Sequence, residues 1–444
     1  MSDKIHDFIA IGLGPFNLGL ACLTDPVESL DGLFLERESA FDWHPGLLLE
    51  DASLQTPFLA DLVTLADPTS RFSFLNYLKA EGRLYHFYIR EHFFVLRREY
   101  NRYCQWVTGQ LDTLRFERSV ERIDYDDEAG CYTVTARHTR SGEPHRYRCR
   151  KLVLGTGTEP MIPACCENAR ERLVHSADYL DHKAALQAKH SITLVGSGQS
   201  AAEIYLDLLE EQRQHGYSID WVTRSPRFFP LEYGKLTLEM TSPDYIDYFH
   251  ALPETTRDRL TSEQKGLYKG IDLDLINAIY DRLYARSLEG PVNTQLVTCA
   301  ALESCRFDPA HRRFALGFVH TEQATRFDHV TEGLILATGY APRDPAFLAP
   351  IEQRIERDDA GRYAVGRHYS VDANAEIFVQ NAELHTHGLV APDLGMACYR
   401  NACIIRELAG REVYPIERGF TFQDFGAPQS ERFTPRLESQ RVSA

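Results

Sequence analysis

Two glycine-rich turns stand where the chain could lay its backbone against a nucleotide pyrophosphate. The first, Gly12-Leu13-Gly14-Pro15-Phe16-Asn17, follows the apolar run Phe8–Ile11 and opens a helix-like stretch from Phe16 to Leu23. One glycine permits the tight turn, and the next lets the backbone approach phosphate at a helix N-terminus, where free N–H groups favour an anion. Asn17 stands where a third glycine is usual. Glu36 closes the next strand pattern, Gly32–Leu35, at the place where an acid can hold two ribose hydroxyls.

The second turn, Gly196-Ser197-Gly198-Gln199-Ser200-Ala201, follows Ile192–Val195 and opens a helix to about Leu209. Its register partner is Arg224, after the strand pattern Ile219–Thr223. A cation there suits the extra 2′-phosphate of NADPH, and no carboxylate repels it. Two such sites in one chain imply FAD at the first and NADPH at the second. The ten cysteines include no C-x-x-C pair and are read as reduced packing thiols. A flavin disulfide reductase would lack its redox pair, which leaves molecular oxygen as the electron acceptor.

The elements that position these residues predict an α/β fold: two Rossmann-type dinucleotide-binding domains with a helical substrate-domain insert. The expected bounds are 1–185 for the first part of the FAD domain and 186–229 with 291–330 for the NADPH domain. The insert is expected over 230–290, and the rest of the FAD domain over 331–444, with substrate contacts and a loosely packed tail of about 25 residues. Strand patterns recur at Ser119–Tyr125, Tyr132–Ala136, Arg150–Leu154, Ala315–His320, Gly333–Ala337 and Ile377–Val379. Helical periodicity covers Phe72–Trp106 and Asp393–Leu408.

Composition sets outer limits. A net charge of −16 over 444 residues argues against a nucleic-acid partner. No apolar run approaches the ~20 residues of a membrane span, and no secretory signal opens the chain, so a cytoplasmic protein without membrane partners is expected.

More specific blocks carry a resemblance. Leu336-Ala337-Thr338-Gly339-Tyr340, with Pro345 beyond, is similar to the ATGY motif of flavin-dependent N-hydroxylating monooxygenases, with Glu332 where that family usually has aspartate. His175-Ser176-x-x-Tyr179 resembles part of the flavin-monooxygenase fingerprint, without its preceding Phe-x-Gly. The run Phe41-Asp42-Trp43-His44-Pro45-Gly46, then Leu54-Gln55-Thr56-x-Phe58-Leu59-x-Asp61-Leu62-Val63, resembles the lysine and ornithine N-hydroxylases of siderophore pathways. The likeness continues through Pro68-Thr69-Ser70, Ser73–Leu78 and His385–Leu389, and covers nearly the whole chain.

That resemblance implies that Gly12, Gly14, Pro15, Asn17, Glu36, Trp43, His44 and Gln55 hold FAD, with Val120, Thr338, Gly339, Pro392, Asp393 and Leu394 along the same cofactor. It gives Gln55 and Trp43 the catalytic surroundings of the flavin. It implies that Gly196, Ser197, Gly198, Gln199, Ser200 and Arg224 hold NADPH, with Tyr268, Lys269 and Gly270 near the nicotinamide ribose. His385 and His387 are read as turn histidines, and no metal site is expected.

Departures from the resemblance are the most informative. Relatives carry lysine at position 60, where it receives a substrate carboxylate; here it is Ala60. An asparagine contact aligns with Leu238, and a serine with Gly395. Loss of all three would leave a buried carboxylate unpaired, which is costly. The expected substrate is therefore an aliphatic diamine, cadaverine or putrescine, N-hydroxylated with O2 through a hydroperoxide of the reduced flavin in hydroxamate siderophore biosynthesis. The relatives imply a homo-oligomer. The alternatives are a lysine or ornithine monooxygenase, a disulfide reductase using an external dithiol, and a non-catalytic flavoprotein.

Overall fold

Strand Ile5–Ile11 is apolar where it is sandwiched and carries no alternation, as a strand covered on both faces must. It pairs in parallel with Gly32–Leu35 on one side and with the end of the long strand Pro144–Leu154 on the other. The computed structural model describes residues 4–428. The first sheet has seven strands, in the order Leu114–Arg115, Gly32–Leu35, Ile5–Ile11, Pro144–Leu154, Cys131–His138, Arg118–Asp126, with Ile377–Val379 also pairing Pro144–Leu154. Pro144–Leu154 thus runs parallel to the nucleotide-type strands at its end and antiparallel to Cys131–His138 at its start. Helix Pro15–Thr24, buried at nine of its ten positions, packs between this sheet and helix Ala397–Ala409.

The second sheet is all parallel: Val174–His175, Gly333–Leu336, Ser191–Val195, Ser218–Val222, Thr294–Val297. Its helix, Gln199–His215, closes on Gly216 in the left-handed region. Sheet membership departs from the expected bounds in two places, because Val174–His175 and Gly333–Leu336 both pair into this sheet. Residues 300–331 form a separate antiparallel meander, Ala300–Asp308, Arg313–His320 and Thr325–Thr331. Thr158–Pro160 and Tyr340–Pro342 pair antiparallel.

Three expectations need correction. The helical periodicity of Phe72–Trp106 breaks into Phe74–Ala80, Leu84–Arg90 and Arg97–Thr108, with strand Phe94–Leu96 paired to Ser53–Pro57. Gly82 and Glu91 take positive φ and turn the chain at those breaks. The helix expected from Asp393 begins at Ala397, because Asp393 instead caps the short turn Leu394–Met396. The tail is not loose where it is described: Asp244 accepts the N–H groups of Gly419, Phe420 and Thr421, Glu239 accepts those of Phe422 and Gln423, and Phe425 packs on Tyr245. The rest of the expected tail, residues 429–444, lies outside the described residues.

The region expected as one insert divides its loyalties. Residues 243–268 bury Tyr245, Ile246 and Phe249 against Leu389, Val390 and Met396. Helix Leu273–Ser287 instead packs its apolar face into the core of the second sheet. Among the described residues no helix is long and apolar enough to cross a membrane.

Candidate functional site

All but two of the expected flavin residues converge on one cavity of about 1870 Å3, larger than the usual pocket for a single small ligand. Gly12, Gly14, Pro15, Asn17, Glu36, Trp43, His44, Gln55, Val120, Pro392, Asp393 and Leu394 all line it. Gly12 has φ +84° and a side chain there would meet the Gly155 carbonyl at 2.4 Å, so only glycine fits. A Cβ on Gly14 would meet nothing within 4 Å and would fill cavity space above the helix N-terminus. Glu36 accepts the N–H of Leu13 at 2.6 Å and that of Glu38 at 2.9 Å, which fixes its carboxylate at the end of its strand.

Asn17 has a structural reason to replace the third glycine. Its amide donates to the Gly12 carbonyl at 2.7 Å, its carbonyl accepts from Gln380 at 2.7 Å, and it lies over Gly155, whose lack of a Cβ makes room. Gly155 and Gln380, both lining the cavity, were not among the expected site residues. The glycine after strand Pro144–Leu154 was a usable signal for the first; nothing local marks the second.

Trp43 is held by its backbone N–H on Asn101 and packs against Tyr100, ring centroids 5.7 Å apart. His44, in the left-handed region at φ 52°, lies between Trp43 and Tyr340. Burial, and then the nearby Arg97 guanidinium, push its pKa down to about 4, so it is neutral at neutral pH. Gln55 presents a buried amide nitrogen with no hydrogen-bond partner, while its backbone carbonyl accepts from the Tyr233 hydroxyl. A buried unsatisfied donor in a cavity wall is what a bound cofactor with carbonyl and ring-nitrogen acceptors would satisfy. The residues present fit FAD.

The second motif is equally built, but most of it lies off this cavity; of its expected residues only Ser200 and Tyr268 line it. Gly196 has φ +145°, and a Cβ would strike the Ala337 carbonyl at 2.2 Å. Gly198 faces the Lys269 carbonyl, and Gly270 packs on the Leu231 backbone with no room for a side chain. Gln199 is committed within the protein, accepting from Asp272 N–H at 2.9 Å and donating to Glu203 at 2.8 Å. Lys269 has its pKa lowered by burial and then by the charges of Lys265 and Arg224, so the three cations lie near enough to act on one another. That cluster and the N-terminus of helix Gln199–His215 fit a phosphorylated dinucleotide.

Thr338 and Gly339 do not line the cavity. Thr338 donates to the Met161 carbonyl at 2.5 Å, and the Gly339 carbonyl meets His175 at 3.2 Å, so this motif ties the end of the second sheet to the segment after strand Thr158–Pro160. Tyr340 is its member that reaches the cavity. Glu332 accepts the His190 N–H at 3.0 Å, a role a longer acid can fill. His385 and His387 are satisfied on the carbonyls of Tyr363 and Arg367.

Ala60, Leu238 and Gly395 all line the cavity. Ala60 is 5% exposed, and a Cβ at Gly395 would lie 3.8 Å from its methyl and 3.1 Å from Asp393 Oδ1. Leu238, 42% exposed, ends the short helix Lys235–Leu238.

Comparison with known proteins agrees with this geometry. Residues 4–342 match the family described as L-lysine 6-monooxygenase/L-ornithine 5-monooxygenase. The putrescine N-hydroxylase of Shewanella oneidensis is 53% identical over 95% of this chain and 84% of its own. The FAD-bound cadaverine monooxygenase of the desferrioxamine pathway of Erwinia amylovora superposes with TM-score 0.95 at 55% identity, covering 96% of this chain and all of that one. The ornithine N-hydroxylase of Kutzneria sp. 744, solved with reduced FAD, NADP+ and L-ornithine, gives TM-score 0.83 at 26% identity, covering 91% of this chain and 99% of that one.

Proposed function

The chain belongs to the L-lysine 6-monooxygenase/L-ornithine 5-monooxygenase family, and we propose that within it this protein N-hydroxylates an aliphatic diamine, putrescine or cadaverine. The protein is a flavin-dependent N-hydroxylating monooxygenase that uses FAD and NADPH. Bound FAD supplies the transfer of electrons from NADPH to oxygen.

The observation that carries the diamine reading is the pairing of Ala60 with Gly395 in the cavity wall. A methyl and a hydrogen stand where the resemblance puts a lysine and a serine, so an α-carboxylate would enter without its partners. The much higher identity to putrescine and cadaverine enzymes than to the ornithine enzyme supports the same reading.

In this proposal Gly12, Gly14, Glu36, Trp43, His44 and Gln55 hold FAD, and Ser197–Ser200, Arg224 and Lys269 hold NADPH. Trp43 and Tyr100 keep water from the reacting face. The amine must arrive neutral although its free pKa is near ~10.4, and desolvation in this cavity favours the neutral form. The proposal extends to a cytoplasmic homo-oligomer working in siderophore biosynthesis; exposed Tyr85, Tyr88, Ile89 and Phe93 offer apolar surface for a second copy.

The test is hydroxylamine formation with cadaverine, putrescine, lysine and ornithine. Both diamines are expected to exceed both amino acids in kcat/KM, and the reverse order overturns the reading.

A further inference from the structure

Asp393 caps the turn Leu394–Met396 by accepting the Gly395 N–H on Oδ1 at 2.6 Å. Its other oxygen accepts no hydrogen bond among the described residues, and it is not among the buried unpartnered atoms, so it opens to the cavity that Asp393 lines. The carboxylate and the Ala60 methyl flank one point, the place where a side chain at Gly395 would begin, at 3.1 and 3.8 Å. A carboxylate therefore stands where the resemblance puts the recognition of a substrate head group.

We infer that Asp393 receives the distal ammonium of the substrate and sets the specificity of the amine site. The inference rests on the diamine reading above. The buried Arg400 pairs with Glu383 at 2.8 Å and donates to the Ala391 carbonyl at 2.6 Å, both through Nη2, while its Nε and Nη1 have no hydrogen-bond partner. Arg400 thereby braces the loop that carries Asp393 without forming an ion pair with it. A half-satisfied carboxylate in a largely enclosed wall is costly unless a cation meets it. Burial raises the Asp393 pKa against the pull of the Gly395 N–H and of Arg400, and an ammonium at Oδ2 would restore the charged form.

Two further features fit. The Tyr233 hydroxyl, which donates to the Gln55 carbonyl, has its pKa raised by burial and then by the charge of Asp393, and Gln55, Tyr233 and Asp393 all line the cavity. Glu232 also faces the cavity but is exposed, where water screens its charge. The missing lysine at position 60 then has a second meaning. Its ammonium would occupy the place the substrate's ammonium takes.

The test uses a quotient: kcat/KM for putrescine over that for n-butylamine, and for cadaverine over n-pentylamine. The monoamines lack the distal ammonium, so any loss common to both, as from a disturbed flavin loop, cancels. Asp393→Asn keeps an acceptor for the Gly395 N–H and removes the charge, and should lower the quotient on the order of 100-fold. Ala60→Lys leaves Asp393 in place and supplies a competing ammonium, and should lower it in the same direction. A quotient unchanged in either variant overturns the assignment. The diamine reading fails separately, if wild-type kcat/KM for lysine or ornithine exceeds that for both diamines.

Discussion

Arg97 and Glu203 meet in a two-point ion pair, Nη1 to Oε2 at 2.8 Å and Nη2 to Oε1 at 2.9 Å, with side chains only 12% and 5% exposed. Arg97 begins a helix beside the flavin-side strands, whereas Glu203 lies on the helix of the second glycine motif. Glu203 also receives Gln199, whose carbonyl accepts the Asp272 N–H. The pair thus ties the helix Arg97–Thr108, whose first residue lies near His44, to the helix of the second glycine motif.

Removing one end of this pair should be far worse than exchanging both. Glu203→Ala leaves a buried guanidinium beside His44 and is expected to destabilise by about 3–5 kcal/mol. Urea denaturation of the FAD-loaded protein measures it. A loss below about 1 kcal/mol would mean that water replaces the carboxylate and the pair is not a structural tie.

Asn17→Gly restores the familiar three-glycine pattern and should nonetheless destabilise. It removes the bond to the Gly12 carbonyl and leaves the buried Gln380 amide without its acceptor, at a cost of about 2–3 kcal/mol. Thermal unfolding with FAD in excess checks this, and a variant as stable as wild type would refute the account of why asparagine stands there.

His44 predicts a pH effect. Its folded pKa is depressed to about 4, below an ordinary value near 6.5. The unfolded chain therefore binds a proton that the folded protein refuses between those limits, so this residue's contribution to stability falls as pH drops from about 6.5 to about 4. The full loss is at most about 3–4 kcal/mol. His387, His385 and His175 are shifted the same way and steepen the acid limb. His44→Gln should flatten that limb in chemical denaturation at pH 7, 5.5 and 4.5; an unaltered slope would show that His44 is not refusing a proton.

What was legible in the chain was local. Gly12 and Gly196 announce their turns because their backbone conformations and close carbonyls admit nothing larger, a constraint written at one position. Register alone put Arg224 just past the end of a strand, and strand Ser218–Val222 ends there. Gln380 reaching Asn17, by contrast, joins residues far apart in sequence, and no local pattern encodes it. The run Phe72–Trp106 read as one helix because its apolar spacing is helical on either side of Phe94–Leu96, and only pairing with Ser53–Pro57 makes that segment a strand. Asp393 was legible as part of a flavin loop, but its closeness to Ala60 appears only once both segments are folded against Gly395.

The choice between NADPH and NADH should rest on charge gathered from two segments. Arg224 follows strand Ser218–Val222, whereas Lys269 and Lys265 come from the helical region, and the charges of Lys265 and Arg224 both depress the Lys269 pKa after burial does. Like charges held close together cost free energy, and a 2′-phosphate with two negative charges would offset it. Arginine offers a planar fork to that phosphate, and lysine a point charge. Arg224→Ala should therefore raise the NADPH KM at least about tenfold while leaving the NADH KM within about twofold, and Lys269→Ala should act in the same direction but less. Steady-state flavin reduction with each coenzyme measures both. Equal effects on NADPH and NADH would remove Arg224 from the 2′-phosphate site and make the cluster a general anchor for the pyrophosphate.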